Sequence, residues 1–162
     1  MLVSHRKIYK LASEFRHGIE LAKQAGEFDC DIVFSSFPAG CFGDASELLA
    51  QYLLENRIKT QYILGTYRDD NPNNTQSHAW LSMEDGTIID ITGDQFRWEP
   101  LFQFNDNPCY VGETDYFHEL FEIEASDCYE FTGLEAYGFE PAAYRMRTLY
   151  KAILHHIAER KG

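Results

Sequence analysis

Residues 77–92 constrain the fold most, because two short runs of alternating side chains flank a turn that admits one comfortable register. Ser77–Met83 and Thr87–Thr92 are strand-like and enclose Glu84-Asp85-Gly86. A three-residue loop, with Gly86 in the left-handed conformation, sets Trp80 opposite Asp90 and His78 opposite Thr92. Ala79, Leu81, Met83, Ile89 and Ile91 then share an apolar face, while His78, Trp80, Ser82, Ile88, Asp90 and Thr92 share the other. A two-residue loop would instead put the Asp90 carboxylate among the apolar side chains, where an uncompensated charge is costly. The favoured register makes His78 and Asp90 diagonal cross-strand neighbours within side-chain reach.

The remaining elements follow from periodicity and punctuation. Ser4 suits the N-cap of a helix running to about Gln24, with Ile8, Leu11, Ala12, Phe15, Ile19 and Ala22 as its apolar stripe and Gly26 as its stop. Asp31-Ile32-Val33-Phe34 is a short apolar run leading into the turn at residues 37–46. Pro38 and Gly40 punctuate that turn, and a second helix carries Ala45, Leu48, Leu49, Tyr52 and Leu53 on one face before finishing near Asn56-Arg57. Thr60–Tyr67 has strand composition, and residues 68–76 form a polar loop. Pro108–Val111 and Phe117–Glu124 are expected strands around a turn at residues 112–115. Pro141 suits the first position of a last helix, whose stripe is Ala142, Met146, Leu149, Tyr150, Ile153 and Ile157; His155 and His156 are expected at its surface.

Together these elements predict an α+β chain, an antiparallel sheet flanked by N- and C-terminal helices, with residues 1–162 forming one domain. Aromatic residues at 15% and hydrophobic residues at 44% belong to a folded globule rather than a disordered acidic chain. A formal net charge of −12 argues against a phosphate backbone as partner, so no nucleic acid is expected. No apolar run approaches the roughly 18 residues of a membrane span, and the basic first ten residues lack a signal-peptide core, so no membrane partner and a cytoplasmic location are expected. Cys30, Cys41, Cys109 and Cys128 lie far apart, without a C-x-x-C pair, which suits free thiols in a reducing compartment.

Three residue types complete a reacting set. Cys41 stands four residues before Ala45, on the inward stripe at the start of the second helix, where the helix dipole favours thiolate. Cys41 is the candidate nucleophile, His78 the base that later protonates the leaving group, and Asp90 the group that fixes the imidazole tautomer. Cys109, His118 and Cys128 match no compact ligand spacing, and Asp90-x-Thr92-x-Asp94 lacks the glycine and terminal glutamate of a calcium loop. With no glycine-rich phosphate loop either, no metal and no cofactor are expected.

The segments F-P-A-G-C-F-G-D-A-S around Cys41, S-H-A-W-L around His78 and I-I-D-I-T around Asp90 resemble the transglutaminase-like branch of the papain-like cysteine enzymes. The resemblance spans about residues 37 to 96. It implies a cysteine-bearing helix packed on an antiparallel sheet that carries the histidine and aspartate, and an acyl-group enzyme working through a Cys41 thioester. An amide or peptide hydrolase, a deamidase and an acyltransferase all fit, with a protein, peptide or small amide or thioester substrate. The alternative is the same fold with weak or absent catalysis, serving as a protein-binding or regulatory module. Papain-like peptidases place an oxyanion-donating glutamine before the cysteine, whereas Ser35 and Ser36 stand in that region here. The Cys41 amide supplies one donor; Ser35, Gln76 and Trp80 are candidates for the second.

Overall fold

The computed structural model describes residues 4–137 and 141–161. Among the described residues four helices, α1 (His5–Gln24), α2 (Phe42–Glu55), α3 (Tyr116–Glu119) and α4 (Ala142–Lys161), accompany six strands: β1 (Gln61–Tyr67), β2 (Gln76–Ser82), β3 (Ile88–Asp90), β4 (Tyr110–Gly112), β5 (Glu122–Ile123) and β6 (Tyr129–Glu130). The strands form one antiparallel sheet in the order β4-β3-β2-β1-β5, with β6 also pairing β1. The architecture is therefore mixed α+β, an antiparallel sheet with flanking helices. Among the described residues no helix is long and apolar enough to cross a membrane.

The local signals account for the helices. Ser4 Oγ accepts from the Lys7 amide to cap α1, and Gly26 takes φ +82° just beyond the helix, a conformation that suits glycine. Helix α2 begins at Phe42 with Cys41 in the N-cap position, although no side-chain hydrogen bond caps it. Helix α4 starts one residue later than expected, at Ala142, and the Pro141 carbonyl accepts from the Arg145 amide. His155 is exposed and His156 partly buried on it. Phe34–Ser36, the end of the short apolar run, is one 3-10 turn.

The hairpin register is the expected one. Leu81 pairs Ile89, Ser82 pairs Ile88, the Met83 amide bonds the Thr87 carbonyl, and Gly86 has φ +91°. Strand β3 stops at Asp90, short of Thr92. Arg16 draws off the Ile91 carbonyl at 2.7 Å, and the Asp90 side chain takes the Thr92 amide at 2.9 Å, so the backbone leaves the ladder.

The two sheet faces bury different cores. Leu81, Ile89 and Ile91 pack with the stripes of α1, α2 and α4, and Cys41 belongs to this larger cluster. The opposite face carries Trp80 and Ile88 beneath Phe96, Phe102, Phe117 and Phe121, so the chain from residue 93 to 121 covers it with aromatic rings. The strand expected over Phe117–Glu124 is corrected to α3 followed by the short β5. Asp115 caps that helical turn by accepting from the His118 amide, and Phe117 and Phe121, four residues apart, then point into one cluster with centroids 5.3 Å apart. Gly65 on β1 gives the rings room: a Cβ there would lie 2.8 Å from the Phe121 Cβ and 3.1 Å from the Trp80 ring.

Candidate active site

His78 and Asp90 meet as the hairpin register requires. The His78 Nε2 lies 2.7 Å from the Asp90 Oδ2, and both side chains are buried. On the other ring nitrogen, the Gln95 amide sits 3.0 Å from His78 Nδ1. With the Gln95 Nε2 as donor, Nδ1 accepts and Nε2 carries the proton toward Asp90, the tautomer a base needs if it is to receive a proton at Nδ1.

A third residue joins them. His118, brought over by α3, places its Nε2 2.7 Å from the same Asp90 oxygen and its Nδ1 2.5 Å from Asp115 Oδ1. The result is one continuous chain of contacts, Gln95–His78–Asp90–His118–Asp115. Burial disfavours a charge on His118, but the hydrogen bonds it donates to Asp115 and Asp90 outweigh this and push its pKa up to about 9, so it stands as an imidazolium at neutral pH. Burial likewise acts against the Asp90 carboxylate. The electrostatic attraction and hydrogen bonds of His78 and His118 reverse this and hold it well below the ordinary aspartate range. Aromatic rings wall the cluster, with Phe96, Phe117 and Phe121 centroids 5.3–5.6 Å from that of His78.

Cys41 is not hydrogen-bonded to this pair among the described residues. Its thiol is buried, 2% exposed, and its described hydrogen bond runs to the Pro38 carbonyl at 3.7 Å. Among the described residues no hydrogen bond joins Cys41 to His78. Alternation along β2 puts His78 on the Trp80 face, whereas Cys41 packs in the cluster of the helical face. The nearest link is Phe42, the first residue of α2, whose ring meets the His78 ring edge-on at 6.0 Å.

The expected activation of the thiol is reversed. Burial is the largest cause and the Asp44 carboxylate adds to it; together they exceed the opposing Arg16 and Lys23 charges and raise Cys41 to about 12. Desolvation outweighs the dipole of the helix start. All four cysteines are free, and Cys30 is the exposed one.

Of the other sequence candidates, Ser35 is exposed and its hydroxyl turns to the Ile32 carbonyl, Trp80 is buried in the aromatic cluster, and Gln76 opens β2 half-buried. Cys109 takes a hydrogen bond from Ser13, and Cys128 bonds the Leu64 amide, so neither stands with His118. The group of metal-ligand type among the described residues is His78, Asp90 and His118, whose donor atoms all lie within 4.8 Å of one another. In the sequence Gln95 carries no signal, and His118 enters only with Cys109 and Cys128 as a metal ligand, not as a partner of Asp90. The Asp115-x-x-His118 spacing, an N-cap carboxylate three residues before a histidine, was the one local signal for His118. Comparison with family models, with curated proteins and with solved structures returned no match to this chain.

Proposed function

We propose that this chain is a cysteine-dependent acyl-group enzyme of transglutaminase-like fold, with Cys41 as nucleophile, His78 as base and Asp90 as orienter, and that the geometry described above is its resting state. The observation that carries the reading is the buried 2.7 Å His78–Asp90 contact, with Nδ1 left as the acceptor. Phe42 against His78 brings the start of the cysteine helix to the same end of β2. For reaction, the Gln95 amide leaves Nδ1 and the Cys41 thiol takes its place. The thiol proton passes to Nδ1 as sulfur attacks the acyl carbon. The carbonyl electrons move to oxygen and return as the leaving amine or thiol departs with the proton from Nδ1. Water, or another nucleophile, then resolves the thioester. Asp90 stays ionised throughout and stabilises the imidazolium.

The second reading, a binding or regulatory module with this fold and without catalysis, is favoured by one observation: the Cys41 thiol is buried with its pKa raised to about 12, and among the described residues no hydrogen bond joins it to an imidazole. Incubation with a small activated thioester followed by peptide mapping separates the two. The enzyme reading expects an acyl adduct on Cys41 that disappears in His78→Ala. Acylation confined to the exposed Cys30, or a Cys41 adduct unchanged in His78→Ala, removes the triad and leaves the module.

A further inference from the structure

We propose that His78, Asp90 and His118 form a binding site for a divalent transition-metal ion of the zinc class, and that its occupancy switches off His78 as a base. The regulatory half of this inference rests on the acyl-enzyme reading; the metal site stands without it.

Two imidazole Nε2 atoms and one carboxylate oxygen converge from three separate elements, β2, β3 and α3, with Nε2–Oδ2 separations of 2.7 Å on both sides. Two nitrogens and one carboxylate oxygen suit a borderline divalent ion. Tetrahedral bonds of about 2.0–2.2 Å to such ligands set the donors roughly 3.3 Å apart, so each histidine must draw back from Asp90 by a little over half an ångström once the protons now between them are gone.

The surroundings match what a metal-bound histidine needs. A ligating imidazole ordinarily donates its second N–H to a carboxylate or carbonyl, which fixes the ring and raises its basicity. Asp115 Oδ1 stands 2.5 Å from His118 Nδ1 in that role. Gln95 stands 3.0 Å from His78 Nδ1 and supplies its carbonyl oxygen when the amide turns over. Aromatic rings close the hydrophobic shell, and two carboxylates, Asp90 and Asp115, balance the charge of a divalent ion. A cavity of about 330 Å³, lined in part by Trp80, Ile88, His118 and Phe121, reaches the cluster on its His118 side.

The protons balance. The ion takes the place of the Nε2 proton on each ring. His118 keeps its Nδ1–H toward Asp115 and releases one proton to solvent. His78 transfers its proton from Nε2 to Nδ1, which then donates to Gln95. A metal-bound His78 therefore has no lone pair at Nδ1, so it cannot accept the thiol proton of Cys41.

The test is titration of the chelator-treated full chain with Co2+, followed by its visible absorption, and with Zn2+ by calorimetry. The expected result is one ion per chain. Affinity should fall at least tenfold in His118→Gln, and about 10- to 100-fold in Asp115→Asn, which keeps all three ligands. Cys41→Ala should bind as the wild type does. Circular dichroism confirms that each variant is folded; if His118→Gln is not, Asp115→Asn decides. No saturable binding, or binding undiminished in Asp115→Asn, overturns the site. Binding with undiminished acylation of Cys41 overturns the switch alone. Failure of the acyl reading shows separately, as absence of Cys41 adducts in metal-free protein.

Discussion

Replacing Glu47 by Gln should change how stability depends on pH. Glu47 lies in the second turn of α2 and beside a pair of stacked tyrosines, Tyr62 and Tyr129, with centroids 5.0 Å apart. Its Oε2 is buried without a hydrogen-bond partner. Burial is the main cause that lifts its pKa to about 7 from 4.5; a hydrogen bond from Tyr129 opposes the rise and the nearby Asp44 charge adds to it. A carboxyl that titrates higher in the folded chain favours folding below the unfolded value. That contribution is lost as pH rises through about 7. At about 1.4 kcal/mol per pH unit, the full difference is about 3.4 kcal/mol. Glu47 is only partly buried, and solvent screening roughly halves the figure to about 1–2 kcal/mol. Gln keeps the shape and cannot ionise. Urea unfolding from about pH 5 to about pH 8 should therefore show the variant gaining about 1–2 kcal/mol on the wild type across that range, or roughly 3–6 °C in melting temperature for a chain of this size. Two curves offset by a constant amount at every pH would show that Glu47 titrates normally, and would refute the reasoning.

Gly65→Ala should lower stability by about 1–3 kcal/mol, since its Cβ would press on Phe121 and Trp80; chemical denaturation measures this, and a neutral result would mean the aromatic layer yields freely. Asp90→Asn should cost about 3–5 kcal/mol by the same measurement, because His78, His118 and the Thr92 amide all lose a buried charged acceptor; a change under about 1 kcal/mol would place the carboxylate's contribution elsewhere. Iodoacetamide at neutral pH should modify Cys30 well before Cys41, which is buried and fully protonated; peptide mapping with Cys41 ahead would show that the resting thiol is open and ionised.

The hairpin was legible because one residue made the alternatives unequal. A carboxylate at position 90 cannot face the apolar row, so the loop length and the His78–Asp90 pairing followed together. The capped helix from Ser4 and the stripe of α2 were legible for the same kind of reason, periodicity joined to a cap. The segment from residue 93 to 121 was not. Apart from Phe117 and Phe121 on the turn that Asp115 caps, its phenylalanines keep no sustained period, and their positions are set by the sheet face they cover. His118 reaches Asp90 from 28 residues away through a four-residue helix, a contact that only the covering segment creates. The thiol was misjudged because the helix-start argument counts the dipole, worth tenths of a kcal/mol to about one, and omits the larger cost of ionising a buried sulfur.

Arg145 of α4 grips Asp31 through two hydrogen bonds of 2.8 and 2.9 Å and Asp44 through a third of 2.8 Å, so one guanidinium holds both ends of the segment that delivers Cys41. With Phe34 and Phe37 buried and Lys23 on the Phe37 carbonyl at 2.6 Å between those ends, the segment has two modes of release. It can ripple between the fixed points, or it can swing away as a unit once the fastening opens. Amides at residues 32–43 should therefore exchange with solvent deuterium in two populations. A fast one should be indifferent to ionic strength. A slow one should quicken with added salt, because its opening requires the guanidinium to let go of both carboxylates at once. The helix that closes the chain thus sets the tempo at which the cysteine near its beginning meets the outside.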